Sequence, residues 1–173
     1  MSSAVAGRVR EAVKAGASAY HRLVLVAGPI HSGKTAALQE VAEGDGWPRI
    51  NVNLELSERL LEFTQRKRAL RAARVLSDIV DEAAAEVVLL DNIEVLFSTE
   101  LKQDPLRLLQ SLSRNRTIVA AWPGVLDGGQ LLYAEPSHPE HRRYSKPEAI
   151  VIQTIEARAS SDGPTAAAGA NQV

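Results

Sequence analysis

The sequence predicts a three-layer α/β fold with a mostly parallel sheet of about five strands. Three observations carry that expectation. Unbroken apolar runs stand at Leu23 to Ala27 and Val87 to Leu90, as in strands buried on both faces of a parallel sheet. Between them lie segments of strong helix formers, and glycine or proline marks the junctions.

In chain order, Val5, Val9, Ala12 and Val13 recur at helical spacing among Arg8, Arg10, Glu11 and Lys14, which predicts an amphipathic helix over residues 4 to 15. Leu23 to Ala27 is the first strand and Ala36 to Glu43 the next helix, stopped by Gly44, Gly46 and Pro48. Arg49 to Asn53 alternates Ile50 and Val52 with polar residues and reads as a second strand. Ser57 is the expected cap of a helical stretch reaching Ala85, with a break near Phe63 and Thr64. Val87 to Leu90 is the third strand, ending at Asp91, and Pro105 to Leu112 is a helix begun by Asp104. Ile118 to Ala121 is a fourth strand closed by Pro123 and Gly124, with further strand candidates at Gln130 to Ala134 and Ala149 to Ile155. One domain over residues 1–157 is expected, with no helical lid domain, followed by a disordered tail over 158–173 that has almost nothing apolar to bury.

Composition bounds the function. A net charge of -1 gives no global reason to bind nucleic acid, and the lack of cysteine excludes disulfides and thiolate metal sites. No signal-peptide core and no membrane-length apolar run occurs, so a cytoplasmic protein with no membrane partner is expected.

The chemistry concentrates after the first strand. Gly28, Pro29, Ile30, His31, Ser32, Gly33, Lys34 and Thr35 match G-x-x-x-x-G-K-[ST] between a strand and a helix. Phosphate oxygens need converging donors, and a glycine loop feeding a helix N-terminus supplies backbone N–H groups and the positive end of the helix dipole. Lys34 then reaches the β- and γ-phosphates, and the Thr35 hydroxyl is placed to coordinate magnesium. The expected cofactors are ATP and Mg2+, since no guanine-reading N-K-x-D follows the fourth strand. Asp91 reads as the Walker B aspartate that orients magnesium through water; an acid ending a buried strand is costly without a cation beside it.

Hydrolysis is less plainly written. Many ATPases of this class follow that aspartate with a glutamate, whereas Asn92 stands here and cannot take a proton. Glu94 and Glu55 are the candidate substitutes, Glu94 slightly favoured. The fourth strand offers Trp122 where ring-forming ATPases often carry a polar sensor, and packing is the expected role of that indole. Arg114 and Arg116 are candidate arginine fingers in trans, with interaction at a helix C-terminus as the plainer reading. Arg66, Lys67, Arg68, Arg71 and Arg74 form a basic stretch in which Lys67, Arg71 and Arg74 share a helix face. It is either a DNA-backbone contact or a solvated face balanced by Asp78, Asp81 and Glu82. His138, His141, Arg142 and Arg143 are equally ambiguous, and their spacing makes no metal site.

Four segments together resemble a known family: the phosphate loop itself, Asn51 to Ser57, Leu89 to Glu94, and Tyr133 to Glu140. They look like BrxF, the small P-loop proteins of type 3 BREX phage-defence systems, over about residues 1 to 157. That resemblance implies a bacterial antiviral system that methylates host DNA and blocks phage. The partners it implies are a methyltransferase, a large ATPase and an alkaline-phosphatase-like component. The function expected from residues and resemblance together is an ATP-driven or ATP-gated assembly or regulatory component, a homo-oligomer with slow or partner-stimulated hydrolysis. A non-hydrolysing nucleotide-bound scaffold and a small-molecule kinase are the alternatives.

Overall fold

In the computed structural model, which describes residues 2–133 and 142–154, a seven-stranded sheet lies between two helical layers. The elements run α1 (Ser2–Ala15), β1 (Leu23–Gly28), α2 (Lys34–Asp45), β2 (Arg49–Asn51), α3 (Val52–Leu60), α4 (Gln65–Ala83), β3 (Val87–Asp91), α5 (Pro105–Leu112), β4 (Thr117–Asp127), β5 (Gln130–Tyr133), β6 (Arg142–Tyr144) and β7 (Ile150–Gln153). Two short 3₁₀ turns, Glu94–Phe97 and Thr99–Leu101, precede α5.

Five strands in the order β2-β3-β4-β1-β7 are parallel throughout, and β5 and β6 extend β4 as an antiparallel ribbon. Side chains alternate between the faces, as a strand period of two requires. Leu23, Leu25, Val88, Leu90, Ile118 and Ala120 pack toward α3, α4 and α5. Val24, Val26, Leu89, Val119 and Ala121 pack toward α1 and α2. The three-layer parallel architecture expected from the sequence is the one observed, and no helical lid stands over it among the described residues.

Four local expectations are corrected. The sheet has seven strands rather than about five: the strand expected from Gln130 is present as β5, and the unexpected addition is the three-residue β6, too short to carry a pattern. The second strand stops at Asn51, because the Asn51 side chain accepts from the Leu54 N–H and starts α3 at Val52; Ser57, the expected cap, lies inside that helix. The break before α4 is where it was expected: Thr64 caps α4, and Arg68 Nε donates to the carbonyls of Leu60 and Phe63. β4 does not close at Pro123 and Gly124 but continues to Asp127. Its ribbon crosses so closely that a Cβ on Gly124 would collide with the Leu132 carbonyl, so glycine keeps the strand going there. The disordered-tail expectation and the His138 and His141 loop lie outside the described residues.

Trp122 is fully buried in β4, edge-on to Phe97 and Tyr144, with its indole N–H donating to the Leu132 carbonyl at 3.0 Å. It packs, as expected. Tyr144 donates to Asp104, the cap of α5, at 3.0 Å; burial and the neighbouring carboxylate push its phenol well above the ordinary value of 10.0.

Candidate phosphate and metal site

The carboxyl ends of β1, β3 and β4 lie level, with Val26 beside Ala121 and Leu90 beside Ala120. That is the edge at which parallel α/β sheets hold ligands. A cavity of about 470 Å3 opens there between residues 30–36, Asp91, Asn92, Glu94, Ala121 and Pro123, a size ordinary for a small-molecule site. A larger hollow, about 570 Å3, lies between α3 and α4 around Phe63 and Val75, away from the glycine loop.

Two glycines shape the loop for different reasons. A Cβ on Gly28 would collide with the hydroxyls of Ser32 and Thr154, so that position needs space. Gly33 has room around it but sits at φ 98°, so it needs the left-handed backbone. His31 adopts φ 61° in the same turn. No side chain caps α2, so the amides of its first turn keep the donor capacity that an anion can use.

Lys34 opens α2, and its ammonium donates to the carbonyls of Gly28 at 2.6 Å and Pro29 at 2.8 Å. It is half-buried, and burial lowers its pKa from 10.5 against the opposing pull of Glu94 and Asp91. Thr35 follows, and its hydroxyl donates to Asp91 Oδ1 at 3.2 Å. Asp91 reaches Thr35 because it shares the α2-facing side of β3 with Leu89, two residues earlier. Its side chain is 2% exposed and also accepts from the Asn92 N–H at 2.9 Å and from Arg49 Nη1 at 3.1 Å. A hydroxyl and a buried carboxylate are hard oxygen ligands of the kind magnesium takes, and the N–H groups opening α2 are the hydrogen-bond donors that phosphate takes. These residues fit that pair of ligands.

The two candidate acids part company. Glu94 lines the cavity, and its carboxylate accepts from Asn53 Nδ2 at 3.2 Å. Glu55 is on α3, 3.8 Å from Arg59, and does not line it. Asn53 also accepts from the Val95 N–H at 2.7 Å, so one amide side chain fixes the turn bearing Glu94.

Arg114 and Arg116 stand before β4, at the amino end of the sheet, opposite the cavity. Arg116 is bound to Asp81 at 2.8 Å and to the Ala85 carbonyl, and Arg114 lies over the Tyr20 ring at 4.3 Å. Within one chain neither reaches the phosphate loop. In the basic stretch, Lys67, Arg71 and Arg74 are exposed. Arg74 pairs with Asp78, Arg71 lies 5.7 Å from the Phe63 ring, and Arg68 turns inward.

Two residues of the site were not expected from the sequence, Arg49 and Asn53. The role of Arg49 shows only once β2 is paired with β3: it stands two residues before Asn51, which pairs with Asp91, so alternation puts its side chain on the Asp91 face. Asn53 carries no signal, because its role depends on the helix beginning one residue before it.

No protein-family profile and no curated relative matches the chain. Among solved structures it is similar to PCH-2 of C. elegans, with a TM-score of 0.42 and 20% identity over 88% of this chain and 41% of that one. The chain thus spans less than half the length of that protein, and the likeness is too slight to carry function. No helix among the described residues is long and apolar enough to cross a membrane.

Proposed function

We propose that this chain binds ATP with magnesium in the loop from Gly28 to Thr35 and serves as a nucleotide-dependent assembly or regulatory component, with slow or partner-stimulated hydrolysis. The observation that carries the reading is the convergence of Lys34, Thr35, Asp91 and Glu94 on one cavity at the carboxyl ends of β1 and β3. Lys34 and the amides of α2 hold the β- and γ-phosphates, Thr35 and Asp91 hold the metal, and Glu94 is the base that polarises water. Slow turnover follows from Asn92 standing beside Asp91, from the absence of a helical lid among the described residues, and from a cavity lining that holds no arginine among them. The missing positive charge then comes from a partner, either a second copy through Arg114 or another protein. The resemblance to BrxF supports a place in a BREX antiphage system beside a large ATPase, a methyltransferase and a phosphatase-like component. Lys67, Arg71 and Arg74 are the residues to face DNA in it.

Equilibrium binding of a fluorescent ATP analogue tests the core of this reading. Wild-type protein binds it with magnesium and Lys34→Ala protein does not; equal behaviour of the two, with or without DNA, refutes it. Mass in solution with and without ATP and magnesium tests assembly. Phosphate release that stays null with every partner present leaves the non-hydrolysing scaffold.

A further inference from the structure

The donors around Asp91 differ in what they do to an arriving cation. Thr35 and the Asn92 amide bond to Oδ1 and are neutral, and a hydroxyl that donates its hydrogen still offers lone pairs to a metal. Arg49 holds Oδ2 at 3.1 Å with its guanidinium cation. A divalent ion seated between Thr35 and Asp91 meets that guanidinium only a few ångströms away, and like charges at that range repel strongly in a partly buried site. Asp91 is locked in place at 2% exposure, whereas the Arg49 side chain is 30% exposed and has an open path to solvent. When both cations compete for one carboxylate, Arg49 is the one that can leave.

We infer that Arg49 is a resident counter-ion of Asp91 which magnesium must displace, so that this residue sets the magnesium requirement for nucleotide binding. The inference rests on the proposed nucleotide–magnesium reading of the site. Without metal, Arg49 neutralises a carboxylate that burial otherwise penalises. With metal, the ion takes over that neutralisation and the guanidinium swings toward water. Arg49 is therefore a positioning residue, acting on the metal through Asp91 and not on the phosphates.

The test is titration of free magnesium at fixed fluorescent ATP analogue, comparing wild type with Arg49→Gln. The quantity read is the magnesium concentration at half-saturation, and it falls about tenfold in the variant, the scale of one like charge removed from a partly screened site. Arg49→Lys, which keeps a charge but loses the planar fork, shifts the same way by less and stands in if the glutamine variant folds poorly. A merely structural Arg49 gives a different pattern, with weaker nucleotide binding at every magnesium level and an unmoved half-saturation point. An unmoved or raised half-saturation point in folded variants overturns the inference. Wild-type protein that binds no nucleotide at any magnesium concentration instead refutes the proposed function, and the inference falls with it.

Discussion

Replacing Lys34 by methionine keeps most of the unbranched stem, one heavy atom shorter, and removes the charge. The ammonium makes two hydrogen bonds, to the carbonyls of Gly28 and Pro29, and burial opposes its charged form. Each bond from this charged donor contributes about 1.5 kcal/mol or more, and removing a half-buried charge returns part of that. Stability should therefore change by no more than about 2 kcal/mol. Against a triphosphate, hydrogen bonds from a charged donor again contribute about 1.5–3 kcal/mol each. Losing two of them weakens ATP binding by at least about a hundredfold. Urea unfolding and equilibrium titration with a fluorescent ATP analogue measure the two quantities on the same preparation. Binding within about threefold of wild type by a folded variant refutes the assignment. The pH dependence has opposite signs in the two assays. The folded-state pKa of Lys34 lies below the unfolded 10.5, so this group makes the fold more stable as pH rises through that interval. Phosphate binding needs the proton, so ATP affinity falls as pH rises through the same interval, beginning below 10.5.

Glu94→Gln should lower steady-state ATP hydrolysis, measured with whatever partner stimulates it, by about a hundredfold or more while ATP still binds; Glu55→Gln should leave the rate within about threefold, and the reverse ranking overturns the placement of the base. Gly124→Ala forces a methyl group into the Leu132 carbonyl and should lower unfolding free energy by about 3 kcal/mol in urea melts; an unchanged midpoint contradicts the close β4–β5 crossing. Arg116→Ala removes bonds to Asp81 and Ala85 and should reduce stability by about 1 kcal/mol without altering hydrolysis per folded molecule. Lost turnover at unchanged stability would instead make Arg116 a finger in trans.

The fold and the phosphate loop were legible because their signals are local. A run such as Leu23 to Val26 must be buried on both sides, and Gly28 and Gly33 to Thr35 sit between strand and helix formers. The start of α5 was legible at Asp104, and near Thr64 a break was legible although its capping role was not. At Asn51 the cap was hidden, because Ile50 and Val52 imitate strand alternation while the asparagine side chain turns the chain into α3. β5 was legible at Gln130, but β6 and its pairing were hidden by tertiary structure: Leu132 opposes Arg143, and nothing in either short segment names the other. Arg49 was missed for a related reason, since its importance comes from lying diagonally across from Asp91 in a neighbouring strand.

Asn92 is better explained by backbone geometry than by chemistry it lacks. The residue sits at φ 52°, a conformation asparagine tolerates better than glutamate. Its N–H bonds to Asp91 Oδ1, and its carbonyl accepts from the Asn53 N–H at 2.8 Å. These two bonds turn the chain sharply as it leaves β3, so that Ile93 drops into the core at 0% exposure and Glu94 begins a 3₁₀ turn at the cavity wall. A glutamate at position 92 would meet the strain of that left-handed backbone, about 1 kcal/mol or more. The acid placed after the turn avoids that strain and takes its orientation from Asn53. This strand exit is built around an asparagine, and the same exit ties the position of Glu94 to α3 through Asn53.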